Sequence, residues 1–258
     1  MKKILVASLM VCAMALPTLA GPAINSAVEQ FRIFNDFPNS LLTFGNTYPA
    51  DLFIQDDATG QTGNFANLHN WRFSENGFNP AQYANGDPFS VSTNLVLSGG
   101  SGESGLQVSP WWSPDVDGRL NVRNPDGEIA AFGGRLPFFS FTATYGLHYV
   151  AGTTIGLGIT YNPHSLSAVD PATITYDVTY NSNNYTSGPL AFDQGNPLEG
   201  HGEWGMLTPA FVGGHLQAFN GTPGLVRAEW TNIVYTPEPA SLTLLGLGFA
   251  ALLRRRRR

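Results

Sequence analysis

The chain has 258 residues, 13 basic and 19 acidic, so its formal charge is −6 and its charged fraction 12%, about half the ~25% usual for a soluble domain. With 17 Phe, 9 Tyr and 5 Trp it carries enough large apolar surface to offset its ordering entropy, which excludes a disordered chain. Its 29 Gly and 18 Pro point to a folded, turn-rich protein.

Met1-Lys2-Lys3 is a short positive start, residues 4–16 are an apolar run, Pro17 breaks it, and Thr18-Leu19-Ala20 leaves small side chains for a signal peptidase. This is a secretory signal helix over residues 1–20. Residues 21–235 then read as one passenger domain holding six arginines, no lysine and eighteen acids, a formal charge of −12. A field of that sign repels nucleic acid and anionic lipid. Lacking lysine, the passenger is no P-loop, Schiff-base or Ser-Lys enzyme. The only cysteine, Cys12, lies in the signal, so the mature chain has neither disulfide nor thiol chemistry.

Along the passenger, period-two alternation dominates and no stretch sustains a helical period for three turns. Ala27 to Gln30 has the makings of a short helix, and strands are expected at residues 30–34, 52–55, 68–73, 89–97, 105–111, 119–122, 129–132 and 138–144. In residues 154–161, Ile155, Leu157 and Ile159 alternate with Gly156 and Gly158, and glycine within a strand marks a bend or a close approach by another backbone. In residues 173–180, Ile174, Tyr176, Val178 and Tyr180 share one face; Asn181-Ser182-Asn183-Asn184 turns the chain and Tyr185 begins the return of a hairpin. Residues 216–219 and 224–235 complete the set. More than ten short strands separated by turns predict an all-β, two-sheet antiparallel jelly-roll. The pattern is similar to concanavalin-like and laminin-G-like sandwiches, which often bind glycans.

Several residues could carry chemistry. Trp111 and Trp112 could stack on a sugar ring, and Asp115 and Asp117 before Gly118 begin a hard-cation loop of the kind that takes calcium; the alternative is a strand-ending Trp and a solvated acidic turn. Asn124-Pro125-Asp126-Gly127-Glu128 is a second turn. Glu199-Gly200-His201-Gly202-Glu203, with His215, is a candidate transition-metal set, while His69, His148 and His164 read as surface or hydrogen-bonded structural residues. Hydrolysis by paired carboxylates needs two acids about 5–10 Å apart, which spacing does not reveal, and no G-x-S-x-G elbow occurs.

After Thr236 come Pro237-Glu238-Pro239, an apolar run over residues 242–253, and Arg254, Arg255, Arg256, Arg257 and Arg258. Twelve helical residues span roughly 18 Å against a bilayer core of about 30 Å, so this transmembrane-type helix is short, and its five arginines would stop transfer. Gly246-Leu247-Gly248-Phe249-Ala250-Ala251 fits the dinucleotide fingerprint, but no strand precedes it and the chain ends seven residues later.

Pro237-Glu238-Pro239, the apolar helix and the terminal arginine cluster together resemble the PEP-CTERM sorting signal of exported proteins of Gram-negative bacteria, over residues 236–258. The resemblance implies recognition and processing by the membrane enzyme exosortase, transient inner-membrane insertion, and delivery to the cell surface or extracellular matrix of an organism that makes exopolysaccharide and biofilm. The resulting expectation is a non-catalytic adhesive or structural module that associates with exopolysaccharide; the alternative is a secreted polysaccharide-active hydrolase or lyase. Two acids across an open cleft would favour the enzyme, and a flat sheet with Trp112 exposed would favour the module.

Overall fold

The computed structural model describes residues 21–108, 118–133, 135–192 and 204–237. The signal helix, the apolar tail helix, Glu238, Pro239 and the five terminal arginines lie outside them.

The described chain is two antiparallel sheets. Its elements are β1 (Ser26–Asn35), β2 (Leu41–Asn46), β3 (Asp51–Asp57), β4 (Asn67–Ser74), β5 (Phe89–Gly99), β6 (Gly102–Val108), β7 (Arg119–Arg123), β8 (Ile129–Phe132), β9 (Phe139–Ser140), α1 (Phe141–Tyr145), β10 (Thr154–Asn162), β11 (Thr173–Tyr180), β12 (Asn183–Thr186), β13 (Leu190–Ala191), β14 (Val212–Ala218) and β15 (Leu225–Pro237). One sheet is seven-stranded in the order β1-β4-β14-β6-β7-β8-β9. The other is eight-stranded, running β12-β11-β10-β5-β15-β3-β2 with β13 also paired to β11. Chain neighbours such as β3 and β4 fall in different sheets, the long-range crossover pairing of a jelly-roll sandwich.

Alternation explains the eight-stranded sheet. Ile155, Leu157, Ile159 and Tyr161 of β10, and Ile174, Tyr176, Val178 and Tyr180 of β11, are all buried, while the residues between them are not. These inward faces meet Trp71, Phe73, Leu106, Leu120 and Leu216 of the seven-stranded sheet in one core. The Trp71 and Trp230 rings meet edge-on across the sandwich at 5.9 Å, a geometry that adds about 0.5–1.5 kcal/mol to the burial itself. A Cβ on Gly214 would lie 2.4 Å from Trp71 Nε1, so glycine there makes room for the indole.

Two expectations are corrected. Residues 27–30 are not helical: Ala27 pairs with Phe73 and Glu29 with Trp71, because strand pairing satisfies the backbone there. Residues 138–144 are not one strand: β9 stops at Ser140, whose side chain accepts a hydrogen bond from Ala143 N and caps α1. Gly146, at φ 68, closes that helix in the left-handed region.

Candidate functional site

The two sheets present different outer faces. On the seven-stranded sheet the centre is buried on both sides: every residue of β4, β6 and β14 is buried. The side chains pointing away from the core form a polar lattice. In one row Gln30, Asn70, His215, Gly105 and Asn121 are cross-strand neighbours; in the next stand Arg72, Gly213, Gln107 and Arg119; in the third, Leu68, Gln217, Glu103 and Arg123.

A chain of hydrogen bonds orders this lattice. Gln217 Nε2 donates to Asn220 Oδ1 at 2.7 Å, and Arg119 Nη1 donates at 3.1 Å both to Gln217 Oε1 and to Glu103 Oε1. Asn121 Nδ2 donates to Glu103 Oε2 at 3.0 Å, which turns Asn121 Oδ1 toward His215 Nε2 at 3.0 Å. Nε2 must therefore carry the ring proton, an assignment made from the network, and Nδ1 is left as a lone pair. Complete burial and the charge of Arg119 hold the His215 pKa well below its usual value, so the ring is neutral. Arg72 lies over the Phe211 ring at 4.3 Å, and burial lowers its pKa to about 10.

The eight-stranded sheet is open. Its outer face carries a groove of about 460 Å³ crossing β11, β10, β5 and β15. Register places Asp177, Gly158 and Ser92 in one row and Thr179, Gly156 and Asn94 in the next; Asn232, Val234 and Thr236 form the β15 side. Ser90 Oγ and Thr160 Oγ1 are hydrogen-bonded at 3.0 Å. Gly156 and Gly158 are the floor. What a Cβ there would meet is the side chains of Thr179 and Asp177, at 3.1 and 3.4 Å, so these glycines mark the groove rather than the bend or backbone approach expected of them.

A buried polar cluster lies at one end of the sandwich. Asp56 Oδ2 accepts from His69 Nε2 at 2.9 Å and from Asn67 Nδ2 at 2.7 Å, and His69 Nδ1 accepts from Arg32 N at 3.1 Å. His69 is thus structural, as its residue pattern suggests. His148 bonds the Asp126 carbonyl and His164 bonds Thr173, both on the surface.

Of the remaining candidates, Trp111, Trp112, Asp115 and Asp117 lie outside the described residues, as do Glu199, His201 and Glu203. His215 faces Asn121, and among the described residues no group of three or more His, Cys, Asp or Glu could hold a metal ion. Asp126 and Glu128 pair with Arg123 in an exposed turn. The groove, the Arg72 environment and the Glu103 network went unmarked in the sequence reading, although the alternating glycines of β10 signalled the first.

The last strand reaches the tail: Thr236 pairs with Ser90 and Pro237 with Phe89. Beyond Thr231, β15 pairs with β5 alone, and Tyr235 packs against Phe73 at 5.2 Å. Deleting residues 238–258 should therefore leave the thermal midpoint unchanged while misdirecting the protein, whereas deletion from residue 232 should lower the midpoint. Melting curves and cell fractionation of the two truncations check this.

Comparison with known proteins adds the following. No curated protein matches the chain. Among solved structures, a family 7 alginate lyase, A1-II′, is 10% identical over 75% of this chain and 82% of its own, with a TM-score of 0.46. The Lotus tetragonolobus seed lectin is 12% identical over 85% and 97%, at 0.38, and arcelin-5 from Phaseolus vulgaris is 11% identical over 85% and 96%, at 0.39. The family comparison matches residues 236–258, the same residues singled out by their Pro-Glu-Pro, apolar and arginine parts. These residues are a PEP-CTERM protein-sorting motif, which makes the chain an exported protein that passes through a membrane-anchored intermediate and is processed by exosortase.

Proposed function

We propose that the exported passenger is a non-catalytic module that binds an extended strand of exopolysaccharide in the groove of the eight-stranded sheet. The observation that carries this reading is the groove's lining: Ser, Thr and Asn side chains over a two-glycine floor. Hydroxyls and amides both donate and accept, as sugar hydroxyls do, and the missing side chains at Gly156 and Gly158 leave space for the sugar rings. Among the described lining residues Asp177 is the one ionisable side chain, so they present no second acid for paired-carboxylate hydrolysis. Its charge, within an acidic passenger, favours a neutral glycan; calcium at Asp115 and Asp117 would be a separate feature of the connection between β6 and β7.

Gly158→Leu tests the reading. The backbone there is extended and a Cβ meets Asp177 Cβ at an ordinary 3.4 Å, and Leu is at least as favourable as Gly in a strand. The variant should melt no lower than the wild type yet lose polysaccharide retention. Retention is measured on a polysaccharide panel including the producer's own, with calcium and with chelator. Equal retention by wild type and variant would reject the groove. Release of sugar fragments by the wild type would replace the module with a polysaccharide-active enzyme, the activity that the alginate lyases carry in their name.

A further inference from the structure

We propose that β2, the outermost strand of the eight-stranded sheet, is an interface at which a second copy of this chain adds its own β2 antiparallel, across a two-fold axis through Phe44. Among the described residues the two sheets end in four edge strands, β1, β9, β12 and β2. An open edge offers a row of unpaired N–H and C=O groups to any other strand, so proteins guard edges with bulges, charges, prolines or short strands. Three of the four are guarded. β1 slips register between Gln30 and Phe34, holds Arg32 at φ 55 and carries Glu29 on the same face as Trp71. β9 is two residues long and runs into α1, and β12 and β13 share their edge in pieces of four and two residues.

β2 has none of these guards. Leu41–Asn46 holds no charge and no proline, and it pairs with β3 in unbroken register. Leu41 and Phe44 are 66% and 51% exposed. Thr47 N donates to Asp51 O at 2.8 Å, and along an antiparallel ladder successive residues bond to one side and then the other. Thr43 and Gly45 therefore bond to β3, while Leu42, Phe44 and Asn46 turn their N–H and C=O groups outward. Phe44 rests on Phe31 of β1, with ring centroids 4.6 Å apart, which fixes its ring at the open edge.

The strand is complementary to itself. A two-fold through Phe44 sets Phe44 against Phe44 of the second copy, and Leu42 and Asn46 against the second copy's Asn46 and Leu42. All three residues point their backbone groups outward, so each pair exchanges two hydrogen bonds. The exposed Phe44 rings meet at the axis as an aromatic cross-strand pair, flanked by the two Phe31 rings. Charge selects this edge for self-association. The passenger's formal charge of −12 drives copies apart, and β2 lets them meet with no acid on either pairing strand, since Asp51, Asp56 and Asp57 all belong to β3. Pairing through β1 would instead bring Glu29 to the contact. Because the axis stands perpendicular to the sheet, the grooves of both copies open on the same side of the pair.

The test is sedimentation velocity of the exported protein over a range of concentrations, with disulfide trapping to fix the register. The wild type should pass from monomer to dimer with a Kd on the order of micromolar, as suits a small interface, and stop there, because two-fold pairing closes on itself. Phe44→Asp sets two like charges opposite one another and should weaken the dimer by about tenfold or more while the monomer keeps its far-ultraviolet spectrum. Trapping does not depend on that variant folding. Phe44→Cys should link two chains under air oxidation, since the paired Cα atoms stand about 5.5 Å apart. Thr43→Cys should not, since its two copies stand about 8 Å apart in this register, beyond the ~7 Å that a disulfide spans. The only native cysteine, Cys12, lies in the signal segment. A wild type still monomeric at about a hundredfold that concentration would overturn the interface, as would an unweakened dimer of Phe44→Asp. Linking at Thr43 rather than Phe44 would overturn the register, and growth past the dimer would overturn the two-fold.

Discussion

Asp56→Ala is expected to destabilise the protein by about 3–5 kcal/mol, because it leaves buried donors without their acceptor. Asp56 and His69 are both fully buried, one on each sheet, so their 2.9 Å hydrogen bond ties the sandwich together at that end. Asn67 does the same and also reaches Phe37: its Oδ1 accepts from Phe37 N at 2.9 Å. Arg32 of β1 closes the cluster, donating to Ser40 O at 2.7 Å and to the Phe37 carbonyl at 3.2 Å, both in the β1–β2 connection. Removing the carboxylate therefore loosens a loop as well as a sheet contact. Asp56→Asn keeps an acceptor for one donor and should cost less. Urea unfolding of both variants measures the difference, and equal midpoints for wild type and Asp56→Ala would show the cluster to be idle.

The same residue gives a pH dependence. Burial raises the Asp56 pKa, but the hydrogen bonds from His69, Ser40 and Asn67 outweigh it, so the net shift is downward. A carboxyl whose pKa is lower in the folded than in the unfolded state contributes stability that is fully present above the unfolded value, about 3.9. That contribution is lost as pH falls through the folded value. The stability gap between wild type and Asp56→Asn should accordingly be constant from neutral pH to about pH 5 and narrow below about pH 4. A gap that widened in acid would contradict the assigned direction.

How far the fold could be read in advance follows from which faces are wet. β10 and β11 announce themselves by alternation because one side of each faces solvent. β4, β6 and β14 are buried on both sides, and their outer faces are filled with Asn, Arg, Glu, Gln and His. The apolar pattern there is diluted, so the sequence marks β6 only from Gly105 and β14 only from Leu216, missing Gly102 and the Val212-Gly213-Gly214 start. β2, an edge strand with Leu41 and Phe44 exposed, has no buried face to alternate against. The Ser140 cap and Gly146 stop of α1 were visible as residue types, but Phe138 to Thr144 carried the stronger strand composition. The groove was half visible: Gly156 and Gly158 stand two residues apart in sequence, whereas Ser92, Asp177 and Val234 join them only through long-range pairing. His215 was noticed for its chemistry and assigned a loop neighbour, yet its partner Asn121 lies 94 residues away.

Glu103→Gln is expected to cost about 3–5 kcal/mol, the cost of breaking a buried ion pair from one side. The Arg119 and Glu103 side chains are 4% and 11% exposed, so solvent can replace little of what is lost. The consequence beyond stability is the point of interest. In the wild type Glu103 accepts from Asn121 Nδ2, and only because it does is Asn121 Oδ1 available to His215 Nε2. A glutamine at 103 can present its own amide N–H, which allows Asn121 to turn over and present Nδ2 to the ring. His215 Nε2 then becomes the acceptor and the proton moves to Nδ1. The ¹⁵N shifts of His215 should report one tautomer in the wild type and an exchange of the two nitrogens' roles in Glu103→Gln. Glu103→Leu combined with Arg119→Met should cost less than the sum of the two single variants, since the two side chains are hydrogen-bonded to each other. A double variant as unstable as the sum of its parts would mean that the two residues stabilise the lattice independently, and His215 would owe its tautomer to something other than this chain of bonds.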